Sequence, residues 1–209
     1  MPSPLGIGGL SRIELKNSLD LAGVRLNVSA QTLLEDPVFD SDAARTVTTI
    51  EIMECSVADL GLDDGASLTQ IFATAYKQGL TLCPPFAGPY LRLATPHQPT
   101  APDSIMSNGQ APTGSVTIAS RRLRAEYGYP RGSYLRVVDD QLWLRGYRCA
   151  EDAPWRPEDR FLFRTKHATA VTGNRAARKQ HACVREPEPQ AGQGVADPNV
   201  SCDDPCLRE

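Results

Sequence analysis

Cysteine and histidine are the side chains of this sequence that could support nucleophilic chemistry. Cys83 follows a predicted helix, and the three histidines are His97, His167 and His181. A thiolate nucleophile needs a histidine or another cation close by to stabilise its negative charge. The C-terminal end of a helix carries partial negative charge, which opposes thiolate formation at Cys83. The sequence therefore favours a packed thiol, and an enzyme with a Cys83/His97 site stays as an alternative.

Metal binding is a second chemistry that these residue types could support. His181, Cys183, Cys202 and Cys206 are four zinc-type ligands, but the stretch between the two pairs contains proline and glycine without the spacing of a zinc knuckle. We expect no metal site and no cofactor. The chain also lacks a P-loop, a dinucleotide-binding glycine motif, G-x-S-x-G and H-E-x-x-H. Enzyme classes that carry such local motifs are therefore not indicated.

Arginine and aromatic residues gather in the second half of the chain. Guanidinium groups beside aromatic rings pair with phosphates and stack on bases in proteins that bind single-stranded nucleic acid. Tyrosine, tryptophan and arginine are also enriched in protein interfaces. The group comprises Arg121, Arg122, Arg124, Tyr127, Tyr129, Arg131, Tyr134, Arg136, Trp143, Arg145, Tyr147, Arg148, Trp155 and Arg156.

Two predicted strands place four of these residues on one face. Because side chains alternate along a strand, Tyr134 and Arg136 share a face of the first strand, as Trp143 and Arg145 do in the second. We expect a non-enzymatic module that binds another protein through this Arg/aromatic face. Single-stranded nucleic-acid binding through the same face is the alternative. A further interpretation is that the arginines stack on the aromatic rings and pair with acidic residues of the N-terminal half.

The strongest predicted element is a helix over residues 67–78. Ser67 and Gln70 match a capping box, apolar residues follow at helical spacing, and Gly79 is placed to end the helix. Apolar alternation predicts weak strands within 13–28 and clearer ones elsewhere. These clearer strands are expected at 46–54, 90–94, 115–119, 134–138, 142–145 and 161–164, with the fourth and fifth joined as a hairpin.

A long polar loop over residues 95–114 contains four prolines. Loops of this length inside a folded unit are uncommon, and they are either mobile or functional. In the enzyme alternative this loop, which contains His97, would act as a lid near Cys83 and His97. Together the elements predict the α+β class, with an antiparallel sheet of about five to seven strands packed against one main helix.

Composition sets the limits of these interpretations. The chain has 209 residues, 41% of them hydrophobic, and a net charge of −3, which suits a folded module better than a strongly basic nucleic-acid binder. Acidic residues prevail in 1–87 and basic residues in 88–168, which are expected to form a single domain over 1–168. The polar stretch 169–209 has no aromatic residue and is expected to be a disordered tail.

The expected location follows from what the sequence lacks. No apolar run is long enough to cross a membrane, and no secretory signal is visible at the start. We therefore expect a cytoplasmic protein that has no membrane partner. The sequence fixes neither the identity of its protein partner nor an oligomeric state.

One segment resembles a known pattern. Residues 79–84 read GLTLCP, residues 88–93 read GPYLRL, and residues 56–61 read SVADLG. Within roughly 46–94 the chain resembles small uncharacterised bacterial proteins that share a GLxLCP…GPxLRL-like core. The resemblance implies a bacterial, cytoplasmic protein and brings no known activity with it.

Overall fold

The computed structural model describes residues 1–106 and 109–166, so the tail predicted at 169–209 lies outside the described residues. Ten strands occur within the described part. Their bounds are β1 (Ser3–Ile7), β2 (Arg25–Leu26), β3 (Thr48–Ser56), β4 (Ala66–Ser67), β5 (Leu80–Thr81), β6 (Val116–Ile118), β7 (Gly132–Val138), β8 (Gln141–Tyr147), β9 (Pro154–Trp155) and β10 (Arg160–Thr165).

Eight strands form one mostly antiparallel sheet. Seven of them follow the order β1-β3-β10-β6-β7-β8-β2, β5 pairs with β10, and β4 and β9 form a separate two-stranded sheet. The pairs β10–β6 and β8–β2 are parallel, whereas the other pairs are antiparallel. The α+β class and the antiparallel character are therefore confirmed in outline, but the sheet is larger than predicted and partly parallel.

Five α-helices accompany the sheet in the described residues, where the sequence predicted one main helix. They are α1 (Arg12–Leu21), α2 (Val28–Leu34), α3 (Asp42–Arg45), α4 (Leu68–Lys77) and α5 (Ala87–Ala94), with 3-10 turns at Pro37–Asp40 and Ala58–Leu60. Among these residues, no helix has both the length and the apolar content that crossing a bilayer requires.

The predicted helix over 67–78 is confirmed as α4. The Ser67 side chain accepts from the backbone N–H of Gln70, and the Gln70 side chain accepts from the backbone N–H of Ser67. Gly79 follows the helix with φ at +83°, the left-handed conformation that glycine adopts without steric cost. Local capping and a helical apolar stripe were sufficient to predict this element.

The weak strands predicted within 13–28 are wrong except at β2, because residues 12–21 form α1. Ser11 and Glu14 make a capping box at its start. The apolar residues of this segment fit spacings of two and of four, and the helix buries Leu15 and Leu19, four residues apart. Ile13 and Leu21, which completed the alternating pattern, are exposed.

The strand predicted at 90–94 is also wrong, because this segment lies in α5. Pro89 falls in the first turn of the helix, where the missing backbone N–H costs no internal hydrogen bond. Tyr90, Leu91 and Arg92 are consecutive and all buried, whereas a half-exposed strand would bury alternate residues. Packing on the sheet has therefore overridden the local alternation.

The hairpin of β7 and β8 is confirmed. Asp139 and Asp140 join the strands with φ of 49° and 59°, as a tight turn with two left-handed residues requires. One face of this hairpin, with Leu135 and Leu144, joins the apolar core that contains residues of α1 and α5. The opposite face, with Tyr134, joins the core beneath α4.

Candidate binding cleft

A half-open cleft of about 650 Å³ lies on the sheet face that carries Leu135. Its floor consists of Val116, Leu135 and Leu162, which come from the neighbouring strands β6, β7 and β10 and are all buried side chains. A volume of this size lies within the range of sites that hold small ligands or short segments of a partner. The floor offers an apolar surface that is already formed by the sheet.

One wall of the cleft is the segment 94–102, which runs from the last residue of α5 into the predicted loop. Pro96, Pro99 and Pro102 restrict its backbone. The Ala101 backbone N–H donates to the Val137 carbonyl at 2.7 Å, which attaches the segment to β7. The wall is therefore held in place, and ordering it upon binding costs little entropy.

Gln98 gives the same wall a second attachment to the sheet. Its Nε2 donates to the Gly114 carbonyl at 3.0 Å and to the Leu135 carbonyl at 3.3 Å. Its Oε1 accepts from Nη1 of Arg92 at 2.8 Å. The Gln98 side chain thus connects α5, β7 and the segment just before β6.

Arg92 is a fully buried cation behind this wall. Its guanidinium donates to the Thr95 carbonyl and hydroxyl, and to the carbonyls of Arg136 and Trp143. Burial lowers the Arg92 pKa to about 10. All of its described partners are neutral oxygens, and Arg92 forms no ion pair within the described residues. Arg92 therefore places a positive charge behind this wall of the cleft.

Glu54 and Arg160 lie at the mouth of the cleft. They project from β3 and β10, and Glu54 Oε1 accepts from Nε of Arg160. Their side chains are 38% and 41% exposed, so both groups can reach a ligand. Among the described residues, nothing bonds to the Arg160 Nη atoms or to Oε2 of Glu54. One donor pair and one acceptor are thus available side by side.

The Arg/aromatic face predicted from the sequence lies on the opposite side of the sheet from the cleft. The register pairs Tyr134 with Arg145 and Arg136 with Trp143, which places the four residues together as the alternation predicted. Tyr134, Arg136 and Arg145 are buried, and Trp143 is partly exposed. The structure therefore brings this set together beneath other parts of the chain.

Within that face, the cations contact the rings and the protein itself. Nε of Arg145 donates to the Tyr134 hydroxyl at 3.0 Å, and the guanidinium lies 4.9 Å from the centre of the Trp143 ring. Arg136 donates to Asp103 and to carbonyls of the 103–113 stretch. These contacts match the interpretation in which the arginines stack on aromatic rings and have partners within the chain.

A contact between the two halves of the chain also fits the uneven charge distribution. Nε of Arg124 donates to Asp36 at 2.8 Å, and the Tyr129 hydroxyl donates to the same carboxylate at 2.9 Å. Burial opposes ionisation of Asp36, but these bonds and the Val38 backbone N–H outweigh it and lower its pKa. Part of the basic surface is thus paired with the acidic half.

The Cys83/His97 pair is not assembled as a catalytic site would require. Cys83 is 2% exposed and its thiol donates to the Leu162 carbonyl at 3.6 Å. Burial raises the Cys83 pKa to about 12, with a smaller opposing effect from Arg164. His97 is exposed and lines the cleft, whereas Cys83 does not. This placement supports the packed thiol.

The zinc-type ligands His181, Cys183, Cys202 and Cys206 lie outside the described residues. Over 1–106 and 109–166, no three side chains of histidine, cysteine, aspartate or glutamate cluster as metal ligands would.

The cleft itself was not predicted from the sequence. The sequence singled out the 95–114 loop, which supplies most of the wall, and that was the available signal. The floor depends on the parallel pairing of Leu162 with Ile118, two residues far apart in the chain. No local sequence pattern predicts that pairing, so the sequence did not identify Arg160 or Leu162 as candidate site residues.

No protein-family model, no curated protein and no solved structure matches this chain.

Proposed function

We propose that this chain is a non-enzymatic binding module that holds an apolar segment of another protein in the cleft. The observation that carries the proposal is the half-open cleft of about 650 Å³ above the buried floor of Val116, Leu135 and Leu162. The accessible apolar surface of the cleft comes from its wall, where Ala94, Pro96, Pro99 and Pro102 are exposed and line the cleft. Apolar surface that stays accessible on a folded chain is a common mark of an interaction site. The partner proposed here thus binds the cleft rather than the Arg/aromatic face.

The polar groups of the cleft support binding over catalysis. Thr95 and Gln98 are already engaged by Arg92, so they position the wall rather than activate a substrate. His97 lines the cleft, but Cys83, the nucleophile considered with it, lies outside the lining. A catalytic base acts on a group within hydrogen-bond reach, and Cys83 does not share the cleft with His97. The cleft instead combines an apolar floor with a rigid wall, which suits recognition of side chains.

The test is to block the cleft from an exposed position and measure peptide binding. The full chain is applied to an array of random dodecapeptides, and the peptides it retains are titrated in solution. Ala94→Trp places an indole in the cleft from the exposed last residue of α5. Ala73→Trp is the matched control, because Ala73 is exposed on α4 and does not line the cleft.

The expected peptides are rich in apolar residues, and Ala94→Trp should weaken their binding at least about tenfold. Ala73→Trp should leave the affinity within about twofold of the unmodified chain. Equal binding by both variants would show that the peptides do not occupy the cleft. An array that retains no peptide would also overturn the proposal.

A further inference from the structure

We propose that the segment held in the cleft is the C-terminal end of a partner chain, with its free carboxylate bound by Arg160. This inference rests on the proposed function, because it names the kind of segment that the same cleft takes.

The charges around the cleft favour an anionic occupant. Arg92 lies fully buried behind the wall and has only neutral partners among the described residues. Arg160 stands at the mouth, and Glu54 is the acidic residue of the lining. Arg160 and Glu54 pair with each other, so the charge of Arg92, which lies behind the wall and does not line the cleft, has no acidic partner among the described residues. A bound carboxylate would balance this excess positive charge.

The geometry of the mouth distinguishes a peptide end from a simple fatty acid. Glu54 Oε1 accepts from Nε of Arg160, which fixes the plane of the guanidinium and leaves both Nη atoms free of described partners. Two Nη donors match the two oxygens of a carboxylate. The adjacent Oε2 of Glu54 is an acceptor for an N–H group.

The last residue of a polypeptide carries a carboxylate and an N–H on either side of one Cα atom. It can thus bond to Arg160 and Glu54 together while its side chain lies on Leu162 or Val116. A fatty acid has no N–H and would leave the Glu54 oxygen facing its own negative charge. An internal segment has no carboxylate for Arg160. The paired donor and acceptor therefore select a chain terminus with an apolar last side chain.

The experiment compares three synthetic forms of each peptide that the full chain retains. The first form ends in a free carboxylate, the second in an amide, and the third has a free carboxylate but an N-methylated last residue. We expect the amide and the N-methylated form to bind at least about tenfold more weakly than the free acid, since each loses charge-assisted hydrogen bonds. Affinities are measured by fluorescence anisotropy with the full chain.

Two variants assign the effect to Arg160. Arg160→Gln should lower affinity for the free acid to that for the amide, and leave affinity for the amide unchanged. Arg164→Gln is the matched control, because Arg164 is an exposed residue on the same face of β10 beyond Leu162 and does not line the cleft. Circular dichroism of both variants confirms that they are folded.

Each outcome separates this inference from the proposed function. Equal binding of free acid and amide would overturn the C-terminal assignment while leaving the cleft as a peptide site. Equal losses in Arg160→Gln and Arg164→Gln would also overturn it, because the effect would then be one of overall charge. Failure of all three peptide forms to bind would overturn the proposed function, and the inference would fall with it.

Discussion

Arg136 allows a quantitative test of whether the Arg/aromatic face serves structure or ligand binding. Its guanidinium is completely buried and donates to the Thr113 carbonyl at 2.9 Å, the Ile105 carbonyl at 2.5 Å, and the Asp103 carbonyl and Oδ1 at 2.9 Å each. These acceptors all belong to the long loop before β6. If Arg136 holds this loop on the sheet, its replacement by methionine should destabilise the fold.

The expected loss is about 3 kcal/mol of unfolding free energy. Breaking a buried ion pair costs about 3–5 kcal/mol when one charge is left without its partner. The Asp103 side chain is 29% exposed, so water compensates part of that loss and the lower end of the range applies. Methionine retains most of the side-chain volume of Arg136, so the cost of a cavity adds little.

Urea unfolding of the full chain, followed by circular dichroism, measures this loss. Arg121→Met is the control, because Arg121 is exposed and its replacement should change stability by less than about 0.5 kcal/mol. In Arg136→Met/Asp103→Asn, the unpaired carboxylate is also removed, so the double variant should be more stable than the sum of the single losses predicts. A loss below about 1 kcal/mol for Arg136→Met would refute the structural role.

Other parts of the structure are tested by smaller changes. Cys83 should resist a disulfide reagent at about pH 8 in the folded chain, and its rapid labelling in a peptide map would contradict the packed thiol. Gly146→Ala should destabilise the fold by about 1–3 kcal/mol, because the new Cβ would lie 2.5 Å from the Ser29 carbonyl carbon. Gly6→Ala is the control, since a Cβ there meets no atom within 4 Å. Equal thermal stabilities of the two variants would refute this expectation. The pKa of Asp36 is lowered in the fold, so the bonds of its carboxylate stabilise the fold at pH values above the ordinary aspartate pKa. This stabilisation is lost as the pH falls through the folded-state pKa. Asp36→Asn should thus destabilise more at neutral pH than below the folded pKa, as urea titrations at both pH values would show.

Elements with complete local signals were predicted from the sequence. The capping box of α4 and the alternation and acidic turn of the β7–β8 hairpin depend on residues close in the chain. By contrast, α1 was missed because Leu15 and Leu19 fit a strand as well as a helix. In α5, the strand prediction required Arg92 to be exposed between two inward-facing leucines, whereas the helix buries Arg92.

The candidate site was predicted less well, because it depends on contacts between distant residues. The alternation placed Tyr134, Arg136, Trp143 and Arg145 on one face, as the register shows. It contained no information on what covers that face, and the bonds from Arg136 to the preceding loop bury its charge. The sequence identified the 95–114 loop as a functional candidate, but the floor it covers arises only when β10 pairs with β6.

The most direct test of the account is to locate the bound peptide by nuclear magnetic resonance. The full chain, labelled at leucine and valine methyl groups, is titrated with the free-acid peptide that binds best. We predict that the largest shifts occur at Val116, Leu135 and Leu162, and that Ala94→Trp abolishes them. Shifts centred instead on Val138 and other methyl groups around Trp143 would contradict this prediction, because the peptide would then lie on the opposite face of the sheet rather than in the cleft.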